Sequence, residues 1–322
     1  MIYRLRHVTA YAYRNPVTQA RCLLRLTPAE GDGQRVLSHR IAIDPAPHRR
    51  ETGRDFFGNA TLSLAVEAPH HAFRIEALSR VEVERRQLPD LASGLSWEAV
   101  RERALAFPSL GPDAPVHFTN PSRRVPVVPE VTDYARASFS PGGGAYAGAV
   151  DLMRRIRADF AFDATATDVA TPLADAFAHR RGVCQDFAHI MIAGLRGLGL
   201  PAAYVSGYLR TKPPPGMARL LGADASHAWV SVWCGDGWHG LDPTNAVGVE
   251  DDHVVVARGR DYADVAPVAG IIAGSGAQTL QVAVDVVPED EEAAASAGNP
   301  SPVRERGRGS EIPCEGPGRE PQ

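Results

Sequence analysis

Lysine is almost absent from the chain: Lys212 is the only one, and arginine supplies the rest of the 34 basic residues. The 38 acidic residues outnumber them, and charges of both signs are spread along the sequence, for a formal net charge of −4. Nucleic-acid binding needs a concentrated basic face that displaces counterions, so this pattern excludes that class of partner. Long apolar runs are missing too. The GIIAG stretch at 270–274 falls far short of the roughly 20 residues that a membrane span requires. The first ten residues, MIYRLRHVTA, lack the apolar core of a secretory signal. A soluble cytoplasmic protein is the expectation, with no membrane partner.

Cysteine is scarce. Cys22, Cys184, Cys234 and Cys314 are too few and too scattered for a disulfide framework. In a reducing compartment each stays a free thiol, and the question is whether one of them sits where a thiolate is favoured. Metal-binding spacings are also lacking. Cys184, His189, His227, Cys234 and His239 form no CxxC pair and no HxxxH step, so no metal and no cofactor is expected.

What is present is ordinary globular material: 322 residues, 44% hydrophobic and 22% charged, enough for two modest domains. Residues 1–85 read as a small all-β module. Alternating apolar and polar residues predict strands over 3–13, 23–27, 36–44, 60–68 and 73–84, separated by turn clusters such as EGDG and DFFGN. Residues 86–129 form a helical and proline-rich connection. Ser96 is a plausible N-cap for a helix, and 108–129 reads as an extended link across the surface.

The segment 130–287 carries helical patterns first (129–139, 145–160, 172–179 and 184–198). Strand patterns follow at 202–210, 227–233, 238–241, 254–257 and 280–287. Helices followed by antiparallel strands indicate an α+β fold. From 288 onward the chain is acidic, then rich in small residues, Pro and Arg. It cannot bury enough surface to offset its ordering entropy, so 288–322 reads as a disordered tail that takes Cys314 with it.

One cysteine stands where chemistry is possible. Cys184 falls at the first turn of the 184–198 helix, where unpaired N–H groups and the macrodipole favour the thiolate. Arg180 and Arg181 add positive charge nearby, and Gly182 permits a tight turn into the helix. A thiolate needs a proton carrier, and His227 opens the strand HAWVSVW. Asp242 follows on the next strand and can orient the imidazole. His227 and Asp242 lie face to face if the hairpin turn centres between Cys234 and Gly235. The strongest turn signal, Asp236-Gly237, comes slightly later, so a longer loop, a bulge or a diagonal contact is required.

Other side chains have plainer readings. Cys22 and Cys234 read as structural. His189, one turn beyond Cys184, reads as packed beside the site, and His239 lies on the strand face opposite Asp242. Trp229, Trp233 and Trp238 either line a channel or fill the core. Tyr204 and Tyr208 share a strand face and could flank a cleft, with the loop from Lys212 to Asp224 as a rim.

Four motifs occur in a telling order: GVCQDFAH at 182–189, YVSGY at 204–208, SHAWV at 226–230 and LDPTN at 241–245. They resemble the core motifs of the bacterial transglutaminase-like superfamily. LRHVTAYAY at 5–13, RLTP at 25–28 and DFFGN at 55–59 resemble its β-rich N-terminal region. The resemblance implies a papain-like α+β core with Cys184, His227 and Asp242 as catalytic residues. It also implies attack on an amide carbonyl of a peptide, protein or other amide substrate, through a thioester.

The backbone N–H of Cys184 is then a natural oxyanion donor; a second donor is not assignable. Hydrolysis is the preferred outcome because no calcium motif is visible and crosslinking in a cytoplasm would be hazardous. Transfer to an amine is the alternative, and an inactive binding module is the third.

Overall fold

A computed structural model describes residues 1–85, 87–211, 226–274 and 276–290. The 212–224 rim, the tail beyond 290 and Cys314 lie outside the described residues. The N-terminal strands are β1 (Ile2–Val17), β2 (Gln19–Leu24), β3 (Gln34–Asp44), β4 (Arg49–Arg54), β5 (Ala60–Val66) and β6 (His70–Val83). Helices α1 (Trp97–Leu105), α2 (Pro129–Arg136) and α3 (Ala145–Asp159) follow, with a 3₁₀ turn at Pro115–Phe118. Then come β7 (Ala161–Phe162), α4 (Leu173–His179), β8 (Arg181–Gly182) and α5 (Cys184–Gly197). The remainder is β9 (Ala202–Leu209), β10 (Ser226–Trp233), β11 (Trp238–Asp242), β12 (Val247–Gly248), β13 (His253–Gly259), α6 (Tyr262–Val265), β14 (Val268–Ala273) and β15 (Gln278–Pro288). The fold is α+β, with an all-β N-terminal module ahead of a helical part and an antiparallel sheet. No helix among the described residues is long and apolar enough to cross a membrane.

The N-terminal module is two four-stranded sheets, ordered β15-β1-β6-β3 and β14-β2-β5-β4. Alternation along β2, β5 and β6 turns Leu24, Leu62, Leu64, Phe73 and Ile75 into a shared apolar layer. The last two strands among the described residues complete this module. β15 pairs with β1 along its length, from Tyr3 opposite Pro288 to Tyr13 opposite Gln278, and β14 pairs with β2. The segment read as part of a continuous 130–287 unit therefore returns to the N-terminal sheets after residue 267. Such pairing joins the two ends of the sequence, and local pattern carries no trace of it.

β1 serves two cores. Its second half contributes Tyr13 and Val17 to the module, while Tyr3 and Leu5 join Val284 and Val286 in the larger cluster around α5. The 108–129 link is likewise not a surface strap: Phe118 and Val125 are buried. The buried Arg196 guanidinium satisfies the backbone there, donating to the carbonyls of Phe118 (3.0 Å), Asn120 (3.2 Å), Ala202 (2.8 Å) and Arg260 (2.6 Å).

α5 lies at the centre. Phe187, Ile190, Met191 and Leu195 are all buried, and the helix packs on α2, β9 and β10. Gly194 sets the approach of α2, since a Cβ there would lie 2.6 Å from the Ala135 Cβ. Beneath α5 the five-stranded sheet is ordered β12-β11-β10-β9-β13, antiparallel throughout. A helix buried from Gln185 to Arg196 on a five-stranded sheet gives its first residue a fixed position, which a reactive group requires.

Candidate active site

Cys184 is the first residue of α5, and Val183 is its N-cap. Valine has no capping oxygen, so the turn is held from inside the helix: the Asp186 carboxylate accepts the Val183 N–H at 2.8 Å and the Thr167 hydroxyl at 2.6 Å. Burial raises the Asp186 pKa against the pull of those two bonds. Gly182 is needed because a Cβ would run into the Asp186 side chain. Arg180 takes a left-handed backbone (φ 54°) and sits over the rings of Tyr134, Phe160 and Phe177, while Arg181 pairs with Asp163.

Of the three cysteines among the described residues, all free thiols, Cys184 is half-buried and the others are buried. Burial pushes the Cys22 thiol up and raises Cys234 to about 12, which fits their structural reading.

His227 lies near enough to Cys184 for the thiol to act on its charge. Its Nε2 lies 2.8 Å from Oδ2 of Asp242, which leaves Nδ1 as the nitrogen available to the thiol. The ladder pairs Trp233 with Trp238 and Val230 with Leu241, so the turn is Cys234–Gly235–Asp236–Gly237. Asp242 extends this register toward Trp229, and its contact with His227 is diagonal. The carboxylate is fully buried and densely held. Oδ1 accepts the N–H groups of Thr244 (2.9 Å) and Asn245 (3.2 Å), and Oδ2 accepts the Asn245 amide at 2.7 Å.

Burial alone would raise the Asp242 pKa, but the hydrogen bonds from His227, His253 and Asn245 hold it well below the usual carboxylate range. Burial alone would lower His227; its bonds to Asp242 and Cys184, with their charges, raise it to about 10 instead. A thiol, an imidazole and an anionic carboxylate in this order can hold a thiolate–imidazolium pair.

A second histidine reaches the same carboxylate. His253 Nε2 lies 3.4 Å from Asp242 Oδ2, and its ring meets Trp229 edge-on at 5.2 Å. Sequence reasoning missed it because the strand was begun at 254, one residue late. A single histidine opening a strand carries no periodic signal.

His227, Asp242 and His253 are also the set among the described residues whose donor atoms, all within 4.8 Å, could hold a metal ion. The contacts at 2.8 and 3.4 Å are hydrogen-bond separations, and Asn245 already occupies Oδ2, so the set fits a polar network better than a coordination shell. The five-residue zinc set weighed from the sequence is dispersed: His239 pairs with Asp236 at 3.2 Å, and Cys234 is buried in the core.

The remaining side chains support the site from below. Tyr204 is buried within electrostatic reach of Cys184, and the His189 ring tilts on it at 5.0 Å. His189 Nε2 accepts the Tyr262 N–H at 3.2 Å, and burial lowers its pKa to about 4. Tyr208 points instead to the N-terminal module, its hydroxyl 3.0 Å from His7 Nδ1. Trp229 and Trp233 fill buried space, and Trp238 is wedged between Phe118 and Arg258.

Residues 3–82 match the bacterial transglutaminase-like N-terminal region, and 132–243 match the transglutaminase-like superfamily model. The chain belongs to the transglutaminase-like superfamily. An uncharacterized protein of Mycobacterium tuberculosis is 41% identical over 295 residues, covering 89% of this chain and 92% of its own length. One from Mycobacterium leprae is 33% identical over 283 residues, covering 88% and 97%.

A protein-glutamine gamma-glutamyltransferase of Pseudomonas aeruginosa matches a 76-residue stretch at 38% identity, which is 23% of this chain and 11% of that protein. The crystal structure of a candidate cysteine protease from Cytophaga hutchinsonii superposes with a TM-score of 0.68 at 20% identity, covering 89% and 90% of the two chains. That likeness establishes the shared fold. Membership of the superfamily places the protein among thiol-dependent enzymes in general kind.

Proposed function

We propose that the protein is an amide hydrolase acting through a Cys184 thioester on a peptide, protein or other amide substrate. The Cys184 thiolate adds to the amide carbonyl, and the oxyanion is met by the Cys184 N–H, one of the unpaired donors that open α5. The C–N bond then breaks as the His227 imidazolium gives its proton to the departing nitrogen, leaving a thioester and a neutral imidazole. Neutral His227 next takes a proton from water, whose oxygen attacks the thioester. The carboxylic acid departs and the thiolate–imidazolium pair is restored. Asp242 stays anionic throughout and keeps the ring aimed. The observation that carries this reading is the 2.8 Å bond from His227 to a fully buried carboxylate, with Cys184 near enough to act on the imidazole's charge.

Water is the preferred acceptor because it needs no binding site of its own, and free thiols at Cys22, Cys184 and Cys234 suit a cytoplasmic setting. The 76-residue likeness to a gamma-glutamyltransferase favours an amine acceptor as the second reading. Incubation with a glutamine-containing peptide and a fluorescent amine separates them. Glutamate formation ahead of amine incorporation is the expected result, and amine incorporation outpacing it overturns hydrolysis.

A further inference from the structure

Asp242 Oδ2 is over-subscribed. An ionised carboxylate oxygen offers about two lone-pair directions, yet three donors converge on it: Asn245 at 2.7 Å, His227 at 2.8 Å and His253 at 3.4 Å. The third partner is therefore the longest and weakest of the three. It restrains the carboxylate without taking it from His227. His253 is itself fixed: it is buried, its ring is edge-on to Trp229, and Trp229 in turn flanks His227 at 6.1 Å. Its Nδ1 is buried with no hydrogen-bond partner among the described residues. A proton there would be a stranded donor, so the tautomer that fits carries its proton on Nε2, facing Asp242.

We propose that His253 is a positioning residue for His227, acting through the Asp242 oxygen that the two imidazoles share. As an uncharged donor it steers the carboxylate while leaving the negative charge for His227 to use. Among the described residues, the titratable groups that act on or adjoin His227 are Cys184 from α5, Asp242 from β11 and His253 from β13. This role rests on the reading of Cys184, His227 and Asp242 as the reacting set.

Iodoacetamide alkylation of Cys184 in the full chain tests it, with the Cys184 peptide followed by mass spectrometry from pH 4 to pH 11. Wild type, His253→Met and His253→Gln are compared. The upper transition of the rate profile marks loss of the His227 proton. Removing the donor that steers Asp242 loosens its hold on the imidazolium, so in His253→Met this transition moves down by about half a pH unit. His253→Gln, whose amide can donate from a similar reach, keeps the wild-type transition.

A transition that stays put or moves up in His253→Met overturns the proposal, as does an equal shift in both variants, which would make ring packing the cause. Should His253→Met fail to fold, His253→Gln decides alone: a wild-type profile supports the role and a displaced one overturns it. Absence of any upper transition in wild type would instead sink the Cys184–His227 reading itself, so the two failures are distinguishable.

Discussion

His227 Nε2 and Asp242 Oδ2 lie 2.8 Å apart although the two residues are not cross-strand partners. The register of β10 and β11 carries Asp242 toward Trp229, and the bond runs diagonally across the hairpin. A four-residue turn produces that offset. Diagonal neighbours on a twisted pair remain within reach of long side chains, and the carboxylate is locked by five donors so that it meets the ring.

Asp242→Asn keeps the size of the side chain and removes its charge. Catalysed turnover is expected to fall by about 10²-fold or more, because the imidazolium loses its counter-charge and its preferred tautomer. Asp242→Ala is expected to destabilise the fold by about 3–5 kcal/mol, since it strands buried donors that the carboxylate now satisfies. Steady-state rates for the first and urea denaturation for the second check both. An Asn variant with wild-type turnover would remove Asp242 from the mechanism.

Alkaline pH should loosen the protein through His227. Its folded value, about 10, lies above its unfolded value near 6.5. The stabilisation is thus complete below about pH 6.5 and is lost as pH rises through the folded value. Denaturation midpoints should fall between about pH 6.5 and pH 10, and His227→Gln should flatten that slope. An unchanged slope in the variant would assign the loss to other groups.

Acid should act through two other histidines. His7 and His189 are buried, and burial lowers each to about 4. Their folded values lie below the unfolded one, so the favourable contribution is full above about pH 6.5 and disappears as pH falls toward 4. His7 joins β1 to β9 through Tyr208, and His189 joins α5 to α6 through the Tyr262 N–H. Melting curves from pH 7 to pH 4 should therefore show cooperative loss of the whole fold, with no separate early release of the N-terminal module. Two resolved transitions would contradict this coupling.

Arg196→Met should cost about 2–5 kcal/mol, because four backbone carbonyls, those of Phe118 and Ala202 buried, lose a charged donor at once. Chemical denaturation of the full chain measures it. A cost within half a kcal/mol of zero would show that solvent replaces the guanidinium.

Much of this architecture was legible residue by residue. The alternation of β1, β3, β5 and β6 and the apolar helix beginning at Cys184 were readable because burial imposes periodicity. Cys184, His227 and Asp242 stood out through ordered motifs, and they come together in one place. β4 was invisible: all six residues of RRETGR are exposed on a sheet edge, so no face alternates. The return of β14 and β15 to the N-terminal sheets was unreadable for a different reason, since pairing across the whole chain leaves no local mark. His253 escaped because its role depends on a carboxylate brought to it by a different strand.

The most direct test of the reacting set is a screen of peptide and amide substrates that compares wild type with Cys184→Ala, whose thiol is removed with little change in volume. Turnover by wild type, a transient acyl adduct on the Cys184 peptide, and no turnover by the variant are expected. Equal turnover by the two proteins would contradict a mechanism through Cys184.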